Sequence, residues 1–167
     1  GLGAQHPPFD IHQAQLALKT SEARFRATFE TAGDAILIIR QAVVVDCNRR
    51  AAELLASGAR GSLLGQSMDL FAPAIQPDGE PSSRLAALHL ADIRLGGMKT
   101  FEWRCRRLDG ASFDAEITIS LFRHNGQNLL QAVLRDVSER RRMIAALEDA
   151  KEEAERANRS KSVFLAN

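Results

Sequence analysis

From Phe101 to Leu121 the sequence alternates apolar and polar residues on both sides of an Asp109-Gly110 pair. Phe101, Trp103 and Cys105 are interleaved with Glu102, Arg104 and Arg106; beyond the pair, Phe113, Ala115, Ile117, Ile119 and Leu121 are interleaved with Asp114, Glu116, Thr118 and Ser120. A period of two places each apolar set on one face of a sheet, so the segment reads as a half-buried antiparallel hairpin closed by an Asp-Gly turn. Asn125-Gly126 is a second turn signal and leads into a third strand over Asn128–Val137. Upstream, the short β-branched runs Ala35–Ile39 and Ala42–Asp46, parted by Arg40-Gln41, read as another strand pair.

The stretch between these two β regions reads as helical and loop-rich. Asn48–Ala56 is a short helix with Asn48 as its cap. Gly58, Gly61 and Gly65 leave room for short helical turns only, and Pro73 with Pro77-Asp78-Gly79-Glu80-Pro81 marks an exposed loop. Ser82-Ser83 then caps a helix running to Leu95, stopped by Gly96-Gly97. Two strands, a helical insert and three strands predict a mixed domain of helices and sheet over residues 22–138.

Both flanks read as helices. Asp10 with Gln13 resembles a capping box, and Ile11, Ala14, Leu18, Ser21, Phe25 and Thr28 recur at helical spacing. This predicts a flanking helix over 10–33, with a candidate break near Thr20-Ser21, preceded at 1–9 by a disordered or vector-derived leader. At the other end, 139–167 begins with an Ala-, Glu-, Lys- and Arg-rich stretch without Gly or Pro. Met143, Leu147, Ala150, Ala154, Ala157, Lys161 and Phe164 are spaced alternately four and three apart, the heptad seam of a two-helix coiled coil. Three alanines and a lysine bury little area, so the seam is weak and easily shifted, which suits a signalling linker. The plain alternative is a solvated helix or one lying on its own domain.

Composition excludes several classes. Lys+Arg number 22 against 21 Asp+Glu, and a net charge of +1 argues against nucleic acid or anionic lipid as the main partner. Apolar runs such as Ile36–Ile39 are far short of the roughly 20 residues that cross a bilayer, and no signal-peptide pattern is visible. The 2 cysteines, Cys47 and Cys105, make no disulfide framework, and the expected compartment is the cytoplasm, with an upstream membrane anchor in the parent left open. His6, His12 and His124 are too scattered for a metal site. Arg104, Arg106 and Arg107 read as a solvated basic face, and Cys47 as a small space-filling apolar residue.

Three stretches together resemble the PAS domain family. Phe25-Arg26-Ala27-Thr28-Phe29-Glu30 with Gly33-Asp34-Ala35-Ile36 is similar to its opening; Asp46-Cys47-Asn48-Arg49-Arg50-Ala51-Ala52-Glu53-Leu54-Leu55 to its second strand and first helix; Leu134-Arg135-Asp136-Val137-Ser138-Glu139-Arg140 to its junction with an output helix. The resemblance implies an α+β PAS fold, a five-stranded antiparallel sheet with flanking helices, with its core over 34–138. It also implies a cavity between sheet and helices, walled here by Ile36, Ile38, Phe101, Trp103, Phe113, Ile117 and Ile119 and closed by Leu54, Leu85 and Leu88. Against that cavity stands the plainer reading that these side chains simply fill a core.

Cofactors leave little trace. The segment Gly58–Phe71 holds no cysteine for flavin photochemistry, and His89 is the sole core-helix histidine available to haem, at a spacing that departs from the haem-binding relatives. The favoured expectation is no cofactor.

Ser160–Asn167 resembles the approach to the phosphoacceptor helix of a sensor histidine kinase, whose acceptor histidine and ATP-binding domain would lie beyond Asn167. The expected role is therefore a non-catalytic bacterial sensor and dimerisation module. Its partners would be a second copy, the kinase domains of the parent, a response regulator and a small-molecule ligand. Asp136, Val137, Ser138, Glu139 and Arg140 form the expected signal junction, with Asp136 capping the output helix or bridging to Arg140. Two alternatives stay open: a ligand-free PAS relay spacer, and the PAS module of a cyclic-dinucleotide signalling protein.

Overall fold

A computed structural model describes residues 10–166; the expected leader at 1–9 lies outside them, as does Asn167. The elements run α1 (Ile11–Thr31), β1 (Ala35–Arg40), β2 (Val43–Cys47), α2 (Arg49–Ala56), α3 (Arg60–Leu63), a 3-10 turn (Met68–Phe71), α4 (Ser82–Ala91), β3 (Met98–Arg106), β4 (Ser112–His124), β5 (Gln127–Asp136) and α5 (Ser138–Ala166). The five strands form one sheet ordered β2-β1-β5-β4-β3, and every neighbouring pair is antiparallel. The long connection from β2 to β3 carries the helices, so the β4–β5 hairpin returns to the middle of the sheet beside β1.

The core lies on the sheet face that α2, α3 and the 3-10 turn cover. Ala35, Leu37 and Ile39 from β1, Phe113, Ala115, Ile117 and Ile119 from β4, and Ala132 and Leu134 from β5 pack there against Ala51, Leu54, Leu55, Leu63 and Phe71. At about 25 cal/mol per Å² this burial is the main driving force of the fold.

Asn48 ties the pieces together. It is fully buried, its Oδ1 accepts from the N–H groups of Ile36 and Ala51, and its Nδ2 donates to the carbonyls of Phe29 and Asp34. One side chain thereby caps α2, closes the end of α1 and fixes the entry to β1.

Some boundaries differ from expectation. The β1–β2 turn is Gln41-Ala42, not Arg40-Gln41, and both residues have positive φ, 49° and 64°. A tight right-twisted hairpin demands that geometry, which Asn-Gly adopts with less strain. Gln41→Asn combined with Ala42→Gly is therefore expected to stabilise the domain by about 1–2 kcal/mol, read as a higher urea midpoint with an unchanged slope.

Helix α4 ends at Ala91 rather than Leu95, because the chain turns to pack Ile93 against the core. Its cap is Pro81 without a side-chain bond; the Ser82 hydroxyl instead donates inward to the Pro73 carbonyl and accepts from Gln76 Nε2. Helix α1 runs through Thr20-Ser21 unbroken, with the Thr20 hydroxyl satisfied by the Leu16 carbonyl at 2.9 Å. The buried residue of α1 is Phe29, next to the stripe; Phe25 stacks on it at 5.6 Å, while Ile11 and Leu18 face solvent.

Candidate functional site

Where β5 hands over to α5, the chain does not simply run on from one element into the next. The Ser138 N–H donates to Asp136 Oδ1 at 2.9 Å, the Val137 N–H to the Asp114 carbonyl at 3.0 Å, and the Asp114 N–H to Ser138 Oγ at 3.2 Å. The first residues of α5 are thus stitched to the start of β4. Val137 is buried beneath them, whereas Glu139 and Arg140 point to solvent.

Asp136 pairs with Arg107 at 3.4 Å. The same guanidinium donates to the Leu54 carbonyl at the end of α2 and lies over the Phe113 ring, 4.2 Å from its centroid. Arg107 therefore touches the helical layer, the core and the β5–α5 junction at once. One turn into α5, Arg141 pairs with Asp114 at 2.9 Å and with Glu102, and Arg104 holds the other side of Asp114 at 2.9 Å. The hydrogen bond from Arg104, reinforced by Arg141, keeps the Asp114 carboxyl below the usual carboxylate range.

The second region is the inner face of the edge strand β3. Lys99, Phe101 and Trp103 pair with Ile119, Ile117 and Ala115, so all three face the core side. His89 of α4 stacks flat on Phe101, with centroids 3.8 Å apart and planes 8° apart, and stands edge-on to Trp103 at 6.0 Å. Its Nδ1 is buried with no hydrogen-bond partner, and burial, aided by nearby Lys99, lowers the imidazole pKa. Both cysteines are buried, and burial raises both thiols, that of Cys105 to about 12 with Asp136 and Asp114 adding to the effect. Among the described residues no group of three or more His, Cys, Asp or Glu side chains could hold a metal ion, and no helix is long and apolar enough to cross a membrane.

A family profile described as PAS domain matches residues 33–139. The chain belongs to the PAS domain family. A curated relative, an uncharacterized protein of Azorhizobium caulinodans, is 30% identical over 129 residues, which is 77% of this chain and 17% of that protein. The PAS domain of an HTR-like protein from Haloarcula marismortui aligns with a TM-score of 0.61 at 21% identity, covering 75% of this chain and 98% of that one. A domain of a sensory box sensor histidine kinase/response regulator from Geobacter sulfurreducens aligns at 0.52 and 20% identity, covering 71% and 96%. At these identities the structural likenesses establish the fold.

Within this PAS domain the residues named from the sequence are distributed unevenly. Leu54, Phe113, Ile117 and Ile119 are in the packed core, with Phe101 and Trp103 packed against it. Ile36 and Ile38 pair with Val133 and Gln131 and lie on the opposite face of the sheet, so they wall no pocket. Leu85 is half-buried and Leu88 is 54% exposed, so Leu88 closes nothing in this state. The β1 run is apolar at five successive positions, and its sequence carries no alternation from which to choose a face.

The junction also differs in its partners. Asp136 is held by Arg107, not Arg140, and the bridge from α5 to the sheet is made by Arg141. The basic stretch is likewise no uniform solvated face: Arg104 pairs with Asp114, Arg106 donates to the Leu70 carbonyl, and Arg107 reaches Asp136. Nothing in the spacing of three arginines distinguishes these tasks, which depend on what the fold brings near each one. The seam of α5, from Met143, Leu147, Ala150, Ala154, Ala157 and Lys161 to Phe164, is solvent-facing throughout.

Proposed function

We propose that this PAS domain is the sensing and relay module of a bacterial two-component histidine kinase, non-catalytic itself. It would work in the cytoplasm, paired with a second copy through α5 and joined to kinase domains that phosphorylate a response regulator. The observation that carries this reading is the Arg107 contact set. It links the end of α2, the core ring Phe113 and Asp136, the residue on which the N–H of α5's first residue is anchored. A shift of the helices over the sheet would be passed to α5, a continuous 29-residue helix with an exposed heptad seam. The likeness to a domain of a sensor histidine kinase/response regulator supports the same reading.

Asp136→Ala in the full-length parent is the test. Coupling between sites typically amounts to about 1–3 kcal/mol, so loss of the link should remove a stimulus-dependent change in autophosphorylation of about fivefold or more. The melting temperature should move little, since the pair is partly exposed. Retention of the full stimulus response in Asp136→Ala would overturn the proposed relay. If the domain is instead a ligand-free spacer, which the packed inner face also fits, the variant would still uncouple an upstream signal, while no compound would bind the isolated chain.

A further inference from the structure

The inner face of β3 presents a cation and two aromatic rings in a row. Lys99, Phe101 and Trp103 are alternate residues of one strand, so their side chains rise from the same face at intervals of about 7 Å. Phe101 and Trp103 are only half-buried by the core behind them. What covers them from above comes from one face of one helix and its cap. His89 lies flat on Phe101, and Asp92, three residues on, pairs its carboxylate with Lys99 at 2.5 Å. Residues three apart on a helix are neighbours. An aromatic ring and a carboxylate are thus offered side by side to the aromatic and cationic positions of the strand.

We propose that this face of β3 is a binding site for a small planar aromatic carboxylate, and that His89 and Asp92 fill it in the unliganded protein as a built-in substitute. The imidazole takes the place of the ligand's ring on Phe101 and against the edge of Trp103; the Asp92 carboxylate takes the place of its acid group on Lys99. The inference rests on the reading of the domain as a sensor and names the class of compound sensed.

Three features fit a displaceable occupant rather than a permanent core. His89 Nδ1 is buried without a partner, so the imidazole leaves a hydrogen bond unmade in this position and regains it when it swings into water. Leu88 and Leu90 on α4 are about half-exposed, at 54% and 48%, so the helix has little apolar surface holding it down. The ends of the segment are anchored separately. Ser82 is bonded to Gln76 and Pro73 at one end, and Gly96 and Gly97 exchange backbone bonds with Leu121 at the other. Gly96 adopts φ +81°, a conformation suited to a glycine hinge. In the proposed exchange His89 and Asp92, in the last turn and at the C-cap of α4, leave the strand while both anchored ends stay in register. Entry of an aromatic acid would move α4 relative to the sheet.

Trp103 is the single tryptophan of the chain, so its fluorescence reports on the site directly. The 167-residue chain would be titrated with phenylacetate, and with 2-phenylethanol and hexanoate as analogues lacking the acid and the ring. A site occupied nine-tenths of the time by its own side chains binds about tenfold more weakly than an open one. His89→Ala and Asp92→Asn, each removing one half of the substitute, are therefore expected to bind phenylacetate about threefold more tightly than the wild type, and the double variant about tenfold. Lys99→Gln is expected to lose the preference for phenylacetate over 2-phenylethanol. Asp92 is exposed, so Asp92→Asn keeps the test valid should His89→Ala fold poorly.

The proposal is overturned if phenylacetate leaves Trp103 unchanged in both opened variants, if Lys99→Gln keeps the wild-type preference for phenylacetate over 2-phenylethanol, or if hexanoate binds equally. Such a failure removes the ligand class and leaves the relay through Asp136 to its own test. Failure of that test removes the relay and leaves this binding measurement standing.

Discussion

Asn48→Ala is expected to destabilise the domain by about 3–5 kcal/mol. The substitution strands the N–H groups of Ile36 and Ala51 and the carbonyls of Phe29 and Asp34, all now satisfied at 2.9–3.0 Å by one fully buried amide. A buried group left without its partner costs about 1–3 kcal/mol, and water reaching the α1 end recovers part of the total of four. Urea unfolding should show a lower midpoint with an unchanged slope. Asn48→Ser, which can still cap α2 through Ala51, should recover about 1 kcal/mol of the loss. A loss below 1 kcal/mol for Asn48→Ala would mean that these bonds are replaced by solvent at little cost, and that Asn48 is only a helix cap.

The second large effect concerns Gln76, a loop residue that behaves as a one-residue strand. Its Oε1 accepts from the Arg104 N–H at 2.8 Å, and its Nε2 donates to the Arg104 carbonyl at 3.1 Å and to Ser82 Oγ at 2.8 Å. These bonds cover the open edge of β3 and pin the start of α4. Gln76→Ala should cost about 2–3 kcal/mol, because the side chain is buried and three bonds are lost with polar partners left behind. The local signature is faster hydrogen exchange at the Arg104 amide, reporting an opened edge. Unchanged protection of that amide would show that the loop, not the Gln76 side chain, shields the edge.

How much of this was legible in the residues depends on the signal each element carries. The β3–β4 hairpin was readable because polar and apolar residues strictly alternate, so strand, turn and inward face are specified together. Asp109-Gly110 and Asn125-Gly126 mark turns whose backbone these residues adopt readily, with Gly110 at φ 92° and Gly126 at φ 76°. Gln41-Ala42 forms the same kind of turn without its usual residues, so in the sequence the turn reads one position early. The start of α4 is masked for a related reason: Ser82 and Ser83 look like caps, but the Ser82 hydroxyl is used to hold the Pro73–Gln76 loop.

The candidate sites were less legible than the fold. Phe101 and Trp103 were found because alternation points them inward. Arg107, Arg141 and Gln76 were not, since each acts through a partner 28 or more residues away, such as Asp136, Glu102 or Arg104.

Taken alone, the order of residues settled the five strands, the buried face of the second hairpin, the cap on α2 and the helical character of both flanks, because all of these depend on neighbours a few positions apart. Only the folded chain decided which face of β1 is buried, which arginine holds Asp136, and that His89 and Asp92 rest on Phe101 and Lys99. Those outcomes turn on contacts between segments distant in sequence, where burial and charge pairing select among arrangements that local preference leaves equal.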